Sequence, residues 1–350
     1  MVNRQKFTLS IALALAVSVS AAAQKKDDKK QSEDQKREIQ AVVKLVDDVV
    51  AGQPAPDDLS ASWEHEDFLK AQGNKEYVPF TVKFDAGTLA GGPVAFYWRV
   101  VPKGGVAAPA AADGKDKKDD KKNQGKRPEY PYEDITFTPV TPGQSSMTVS
   151  RSFTVPAGEY DVYVAVKAPS GKEKNAPPAK ASVIKHSVAV PDFWNGELNT
   201  SSVIVAQRIE PLPAPLTPQQ QVERPYALGG LEIVPAPDTK LSKKGELQTF
   251  MIIYNPKTDP MNKPDVTVEY NFYARAGGGE KFFNKTAPQA LNAQTLPPQF
   301  DVAAGHQLQA GQAVPLTSFP EGDYRLEIKV TDKIANKSLT RDINFSVSGS

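Results

Sequence analysis

The chain has three histidines, His65, His186 and His306, and no cysteine, so any nucleophile or metal site must be built from imidazole, hydroxyl and carboxylate. Two settings invite inspection. In Trp63-Glu64-His65-Glu66-Asp67-Phe68-Leu69 an imidazole sits among carboxylates, the donor types a divalent metal takes. The spacing predicts a short helical turn, in which His65 and Leu69 share a face while Glu64 and Glu66 point elsewhere, so the donors do not converge. His306 follows Gly305 and lies five residues after Asp301, a pairing that would serve a polar pocket, a metal or the acid–base step of a hydrolase, against the plain reading of a loop histidine. His186 falls in an extended run and reads as an edge residue. No G-x-S-x-G elbow, Walker loop, H-E-x-x-H helix or EF-hand loop occurs, and Gly277-Gly278-Gly279 joins two strand candidates as a hairpin turn. The expectation is a protein that is not an enzyme, with no catalytic residue, no cofactor and no metal.

Aromatic side chains are the remaining groups able to recognise a ligand. Phe193-Trp194-Asn195-Gly196 reads either as a platform for a sugar or partner chain or as an apolar plug between domains. Tyr270 and Phe272 share a strand face with Val268, and Phe282 or Phe283 across the glycine turn would extend that cluster, with core packing as the plain alternative. Phe282 and Phe283 point to opposite faces, so one of them faces outward. The candidate binding residues are therefore Phe193, Trp194, Tyr270, Phe272 and Phe282. Trp98, in Phe96-Tyr97-Trp98-Arg99, reads as a core tryptophan, with Tyr97 pointing the other way.

The elements that must position these residues start from the N-terminus. Arg4 and Lys6 precede an apolar run from Phe7 to Val19 that closes in Ser20-Ala21-Ala22-Ala23, the layout of a cleaved secretory signal peptide. The run is too short to span a bilayer, so residues 1–23 are expected to be removed and the mature chain to be periplasmic or extracellular, with no membrane span. The chain holds 42 Lys plus Arg against 41 Asp plus Glu, a balance that offers no general field for nucleic acid. The string Lys-Lys-Asp-Asp-Lys-Lys occurs at 25–30 and again at 117–122; mixed charge without apolar residues reads as flexible spacer. Ile39, Val42, Val43, Val46, Val49 and Val50 recur at helical spacing, with Ser32 and Gln35 as a candidate cap and Gly52, Pro54 and Pro56 as a stop. That helix is too short for a coiled coil and is expected to dock on the adjacent domain.

From Tyr77 onward the period is two. Strands are predicted near 78–84, 94–101, 134–138, 147–155, 160–168 and 182–190, then near 202–207, 231–235, 247–254, 266–275, 281–285, 312–316, 324–331 and 339–347. Residues 102–132 read as a disordered insertion, and Pro211 to Pro218 as an extended polyproline-like spacer. Pro156-Ala157-Gly158-Glu159-Tyr160 followed by Val162, Val164 and Val166 aligns without a gap on Pro320-Glu321-Gly322-Asp323-Tyr324 followed by Leu326, Ile328 and Val330. This resembles the tyrosine corner of immunoglobulin-like and fibronectin-like sandwiches, in which the hydroxyl ties back to upstream backbone. The fold class is thus expected to be all-β: two tandem immunoglobulin-like sandwiches after a signal peptide and a short amphipathic helix. The divisions are a spacer and helix over 24–73, a first sandwich over 74–191, a connection with first strand over 192–222 and a second sandwich over 223–350.

Val190-Pro191-Asp192-Phe193, Leu198-Asn199-Thr200-Ser201-Ser202-Val203-Ile204 and Phe319 to Tyr324 are similar to segments of secreted proteins of acidobacterial type, found near the C-termini of exported proteins with GWxTD-type or von Willebrand-like domains. That resemblance implies export and a β-sandwich and transfers no catalytic residue. The expected function is a non-catalytic binding or assembly module of the cell envelope. Its partner would be an envelope protein or glycan rather than nucleic acid, and its oligomeric state is left open. Carbohydrate binding through exposed aromatics and an unrecognised hydrolase are the alternatives.

Overall fold

The computed structural model describes residues 33–89, 91–105, 128–141, 143–171 and 177–349. The expected signal peptide, both Lys-Lys-Asp-Asp-Lys-Lys strings and Ser32 lie outside them. The described chain divides into an N-terminal unit (33–66 and 75–192) and a C-terminal unit (67–74 and 193–349), and it is predominantly β.

In the N-terminal unit helix α1 (Glu33–Val50) comes first. It ends in paired backbone bonds, Gly52 N–H to the Val49 carbonyl and Gln53 N–H to the Asp48 carbonyl, at 3.0 and 2.9 Å. Gly52 adopts φ +93°, the left-handed conformation such a cap needs. Strand β1 (Ser62–Glu66) follows, and β2 (Leu69–Lys70) belongs to the other unit. Then come β3 (Glu76–Asp85), β4 (Pro93–Pro102), β5 (Tyr132–Pro139), β6 (Ser146–Val155), β7 (Gly158–Lys167) and β8 (Ala181–Val190). One antiparallel sheet sets β3 between β1 and β6; the other runs β5-β4-β7-β8. Between the sheets Trp98 is fully buried beside Phe80, Phe96 and Tyr132, at centroid distances of 6.2, 5.9 and 6.4 Å. Its indole N–H donates to the Ser152 carbonyl at 3.0 Å, which satisfies its one polar atom.

One expectation for this unit is corrected. Residues 63–66 are extended rather than helical, because Trp63 lies flat between Phe80 and His186, at 4.7 and 4.4 Å, and β1 pairs with β3; tertiary stacking overrides local spacing. Of the insertion expected over 102–132, residues 106–127 lie outside the described residues, and the described flanks make contacts. Lys103 pairs with Glu159 at 3.3 Å, and the Tyr130 ring lies under the Arg99 guanidinium at 4.2 Å.

Helix α1 covers the outer face of the second sheet. Val42 and Val46 are fully buried with Ala95, Tyr97, Tyr163, Ala165 and Val183. Two ion pairs flank this seam: Lys167 to Glu38 at 2.5 Å, and Arg99, whose side chain is fully buried, to Asp47 at 2.7 Å. Burial alone would raise the Glu38 carboxyl, but the Lys167 ammonium and the hydroxyl and N–H of Ser170 outweigh it and hold it below its ordinary value.

The C-terminal unit contains β9 (Asn199–Thr200), β10 (Ile204–Pro211), α2 (Pro218–Glu223), β11 (Ala227–Leu228), β12 (Leu231–Pro235), β13 (Lys240–Ser242), β14 (Glu246–Tyr254) and β15 (Val266–Ala276). The chain continues through β16 (Gly279–Lys285), β17 (Gln289–Leu291), β18 (Leu308–Pro315), β19 (Gly322–Asp332) and β20 (Lys337–Ser348). One sheet runs β11-β12-β10-β14-β18 and the other β13-β20-β19-β15-β16. Both fill one core, which includes Leu247, Met251, Tyr270, Phe272, Phe319, Ile328 and Phe345. In the stretch expected as a connection with first strand, the strand expected near 202–207 forms as β10, with Ile204 and Ala206 buried against β14, and β9 is added before it. Pro211 to Pro218, expected as an extended spacer, links β10 to α2, whose N-cap Thr217 and Gln220 form a reciprocal capping box.

The repeated motif has the same structure in both units. The Tyr160 hydroxyl donates to the Pro156 carbonyl at 3.0 Å and that of Tyr324 to the Pro320 carbonyl at 2.7 Å. Gly158 and Gly322 hold φ of +153° and +145°, a region that side-chain-bearing residues rarely enter, and this lets each ring fold back over its turn. The register that follows is shared: Trp98 faces Val164 as Tyr270 faces Ile328, and Val100 faces Val162 as Phe272 faces Leu326.

Removing either corner hydroxyl, in Tyr160→Phe or Tyr324→Phe, is expected to destabilise its own unit by about 1 kcal/mol in urea unfolding. For Glu38 the sign is that of a depressed acid: its contribution is complete above the ordinary value of 4.5 and is lost as pH falls through the lower folded value. Unfolding of the N-terminal unit between pH 6 and pH 3, on the order of one unit either side of that value, is expected to steepen in the wild type and to flatten in Glu38→Gln.

Candidate functional site

The five sequence-predicted binding residues separate by burial. Tyr270 and Phe272 are each 1% exposed. They belong to the core that the shared register assigns them, and the Tyr270 hydroxyl donates to Gln289 Oε1 at 3.2 Å. Phe193 is also buried, 5.0 Å from the Tyr254 ring of its own unit. Trp194 and Phe282 are 39% and 52% exposed, and only these two of the five present a ring to solvent.

Phe282 sits on β16, edge-on to Tyr273 at 5.9 Å, while Phe283 points inward onto Phe319 at 4.9 Å. The hairpin that carries them turns through Gly277 and Gly278, both at positive φ, as a two-residue turn of this kind requires. The Arg325 guanidinium lies over Tyr273 at 4.4 Å and is held by Glu280, Glu327 and Asp342 at 3.0, 3.1 and 2.6 Å. That sheet face is thus occupied by its own charge network.

Trp194 has a different setting. Strand β14 stops at Tyr254, and Asn255 takes up φ +54°. From there its side-chain amide donates to the carbonyls of Phe193 and Glu197, at 3.0 and 2.8 Å, and its Oδ1 accepts from Lys70 Nζ at 3.0 Å. The same Lys70 ammonium stands 4.1 Å from the centre of the Trp194 ring. Beside this pair opens a cleft of about 570 Å³ whose lining includes Gly196, Leu198, Asn255, Lys257, Asp332 and Lys337. Asp332 is fully buried and organises the turn after β19: it accepts from the N–H groups of Lys257, Ile334 and Ala335, at 2.7, 3.0 and 3.0 Å. Lys337 reaches Glu197 at 2.6 Å. The cleft is therefore built from end loops of one unit, with Lys257 and Lys337 and an apolar wall of Leu198, Pro256 and Ile334, and the half-exposed Trp194 ring lies near it, since Asn255 both lines the cleft and accepts from Lys70.

Sequence reasoning pointed to Trp194 and missed Lys70, Asn255, Asp332 and Lys337, which lie far apart along the chain. The sole local signal was the Asn-Pro pair at 255–256 that closes a strand.

The histidines serve local structure. His65 is on β1. His186 Nε2 lies 3.4 Å from Glu66 Oε1, and the other oxygen of Glu66 accepts from the Trp63 indole at 2.6 Å. His306 Nδ1 accepts the Asp301 N–H at 2.9 Å, while Asp301 Oδ1 accepts from Ala303 and Ala304 at 2.7 and 3.1 Å. Those backbone donors hold the Asp301 carboxyl below its ordinary range. Among the described residues no group of three or more His, Asp or Glu side chains is placed to hold a metal ion, and no helix is long and apolar enough to cross a membrane.

No family model matches the chain, and no curated protein matches it by sequence. Among solved structures it is similar to Escherichia coli alpha-2-macroglobulin activated by porcine elastase, at 14% identity and TM-score 0.22, over 85% of this chain and 22% of that one. It is similar also to Salmonella alpha-2-macroglobulin reacted with methylamine, at 11% identity and TM-score 0.20, over 85% and 17%. The chain thus spans about a fifth of the length of these neighbours, and at such scores the likeness carries no argument about activity.

Trp194 is the most exposed of the three tryptophans and has a cation beside it, so iodide is expected to quench its emission more than caesium does. Lys70→Gln should remove that preference, and Trp194→Phe should remove most of the quenchable signal. Equal quenching by both ions in the wild type would contradict the geometry.

Proposed function

We propose that the protein is an exported, non-catalytic binding module of the bacterial cell envelope, made of two tandem immunoglobulin-like sandwiches and binding through the end loops of the second. The strand order supports the fold reading. In each unit a sheet of three principal strands (β1-β3-β6, β10-β14-β18) accompanies one of four (β5-β4-β7-β8, β16-β15-β19-β20), with a tyrosine corner opening the strand before last. This is the arrangement of fibronectin-like members of that class. Export rests on the N-terminal sequence and on the resemblance to secreted proteins of acidobacterial type.

The observation that carries the binding reading is the half-exposed Trp194 ring under Lys70 beside the end-loop cleft. Sandwich scaffolds present ligand-binding loops at their ends because the strands hold those loops rigidly. A flat indole beside polar groups also suits the face of a sugar ring, which makes a glycan the favoured ligand class within this reading.

The test is an affinity capture from the envelope fraction with residues 24–350 as bait and Trp194→Ala as control, together with a glycan array. Binding that falls at least tenfold in Trp194→Ala is expected, about 1.4 kcal/mol. A truncation lacking 24–73 would be a poor control, since it strips α1 and β1 from the N-terminal unit and uncovers buried Tyr97 and Arg99. Binding indifferent to Trp194 would contradict the site, and turnover lost on substituting His306 or Asp301 would favour the hydrolase reading.

A further inference from the structure

Asn195-Gly196 is the one place in the sequence where glycine follows asparagine. The pairing carries chemistry of its own, because the main-chain nitrogen after an asparagine can attack that residue's side-chain amide carbon and close a five-membered ring. A β-carbon on the following residue crowds the attack, and glycine has none. Other asparagines of the chain lack this partner. Asn74, Asn262 and Asn336 share left-handed φ values but are each followed by lysine, and Asn255 is followed by proline, which has no N–H to give up.

The structure presents both reacting groups. Asn195 and Gly196 are exposed, with Gly196 at the lip of the cleft and at φ +80°. The Gly196 N–H has no acceptor among the described residues, so it can lose its proton to solvent base and act as the nucleophile. Asn195 Oδ1 accepts the Glu197 N–H at 2.9 Å. That bond folds the side chain back over the Gly196 peptide and puts a donor on the oxygen where negative charge develops during attack. The turn is also held at its ends. The Asn255 amide bridges the carbonyls of Phe193 and Glu197 at 3.0 and 2.8 Å, and Lys337 holds the Glu197 carboxylate at 2.6 Å. The amide is thus offered in one arrangement instead of being spread over many.

We propose that Asn195 is a self-modification site, which converts through a succinimide to isoaspartate and aspartate and so alters the Trp194 loop with time. In the first step the Gly196 nitrogen, its proton lost to hydroxide, bonds to Asn195 Cγ. The Cγ–Nδ2 bond breaks, and ammonia leaves with a proton taken from water. Water then opens the ring. Attack at Cγ gives aspartate; attack at the Asn195 main-chain carbonyl gives isoaspartate, whose main chain runs on through Cβ and Cγ. Either product sets a new carboxylate beside Trp194. Isoaspartate also lengthens the main chain by one atom between the two carbonyls that Asn255 bridges, so that brace is released. Water is the sole co-reactant, and the change runs one way. The chemistry is independent of the binding reading, and only its bearing on a ligand rests on that reading.

The test ages the chain. Residues 24–350 are held at mildly alkaline pH and body temperature, beside a free peptide of residues 193–198. Peptide mapping is expected to show a gain of one dalton in ordinary water and three in heavy-oxygen water, confined to the fragment holding Asn195 and with isoaspartate in excess. The rate in the folded chain should lie within about tenfold of the free peptide. Asn195→Gln, whose side chain is one methylene too long for the five-membered ring, should not convert. Conversion more than tenfold slower than in the peptide overturns the proposal, as does an equal gain at Asn74, Asn262 or Asn336. The consequence for the loop is read on Trp194 without any ligand: iodide should quench the converted chain less than the fresh one, because a carboxylate repels it. Unchanged quenching overturns the switch. A fresh chain that captures no glycan, yet converts and changes its quenching, removes the binding reading and leaves this one standing.

Discussion

The constraint on which the N-terminal unit depends is that the β5-β4-β7-β8 sheet is buried on both faces. Along β4 the inward residues Phe96, Trp98 and Val100 pack between the sheets, while the outward residues Ala95, Tyr97 and Arg99 lie against or near α1. An antiparallel sheet with one face in water alternates apolar and polar residues; a sheet covered twice reads as a continuous apolar run. Val94-Ala95-Phe96-Tyr97-Trp98-Arg99-Val100-Val101 is such a run, and its single charge falls where the helix supplies a carboxylate. The helix is therefore a third layer of this unit. The apolar stripe of α1, the Gly52 cap and the anchoring of Pro56 to Leu59 on β8 all serve that layer.

Most of the strand framework was legible in the sequence because period-two patterns and turn residues are local signals. The clearest was the P-x-G-acid-Y repeat. Its glycines permit a backbone that other residues resist, and its tyrosines close the same hydrogen bond in both units. The repeat also aligns the units residue by residue, and so explains why Tyr270 lies where Trp98 lies. The repeat matches Val164 to Ile328, and the strand pairing then sets Trp98 and Tyr270 opposite them.

What escaped the sequence depends on contacts between distant residues. The Trp63 segment has helical spacing, but its ring is held between Phe80 and His186, and no local pattern encodes a sandwich of rings. The strand expected near 202–207 forms as β10, but its extension to Pro211 and the short β9 before it depend on the pairing edges of β12 and β14. The cleft beside Trp194 gathers Lys70, Asn255, Asp332 and Lys337 from separate loops, each ordinary by itself. His306, which invited a chemical reading, accepts the Asp301 amide within its own turn.

Hydrogen exchange on the intact chain tests the three-layer account of the N-terminal unit most directly. The account predicts that amides around Val42 to Val46 are protected at neutral pH, and that Asp47→Asn, which removes the helix's carboxylate from the buried Arg99 guanidinium, accelerates their exchange while β14 and β15 are unaffected. If the α1 amides exchange at the rate of a free peptide in the wild type while β4 and β7 remain protected, the helix is not a structural layer and the account is wrong.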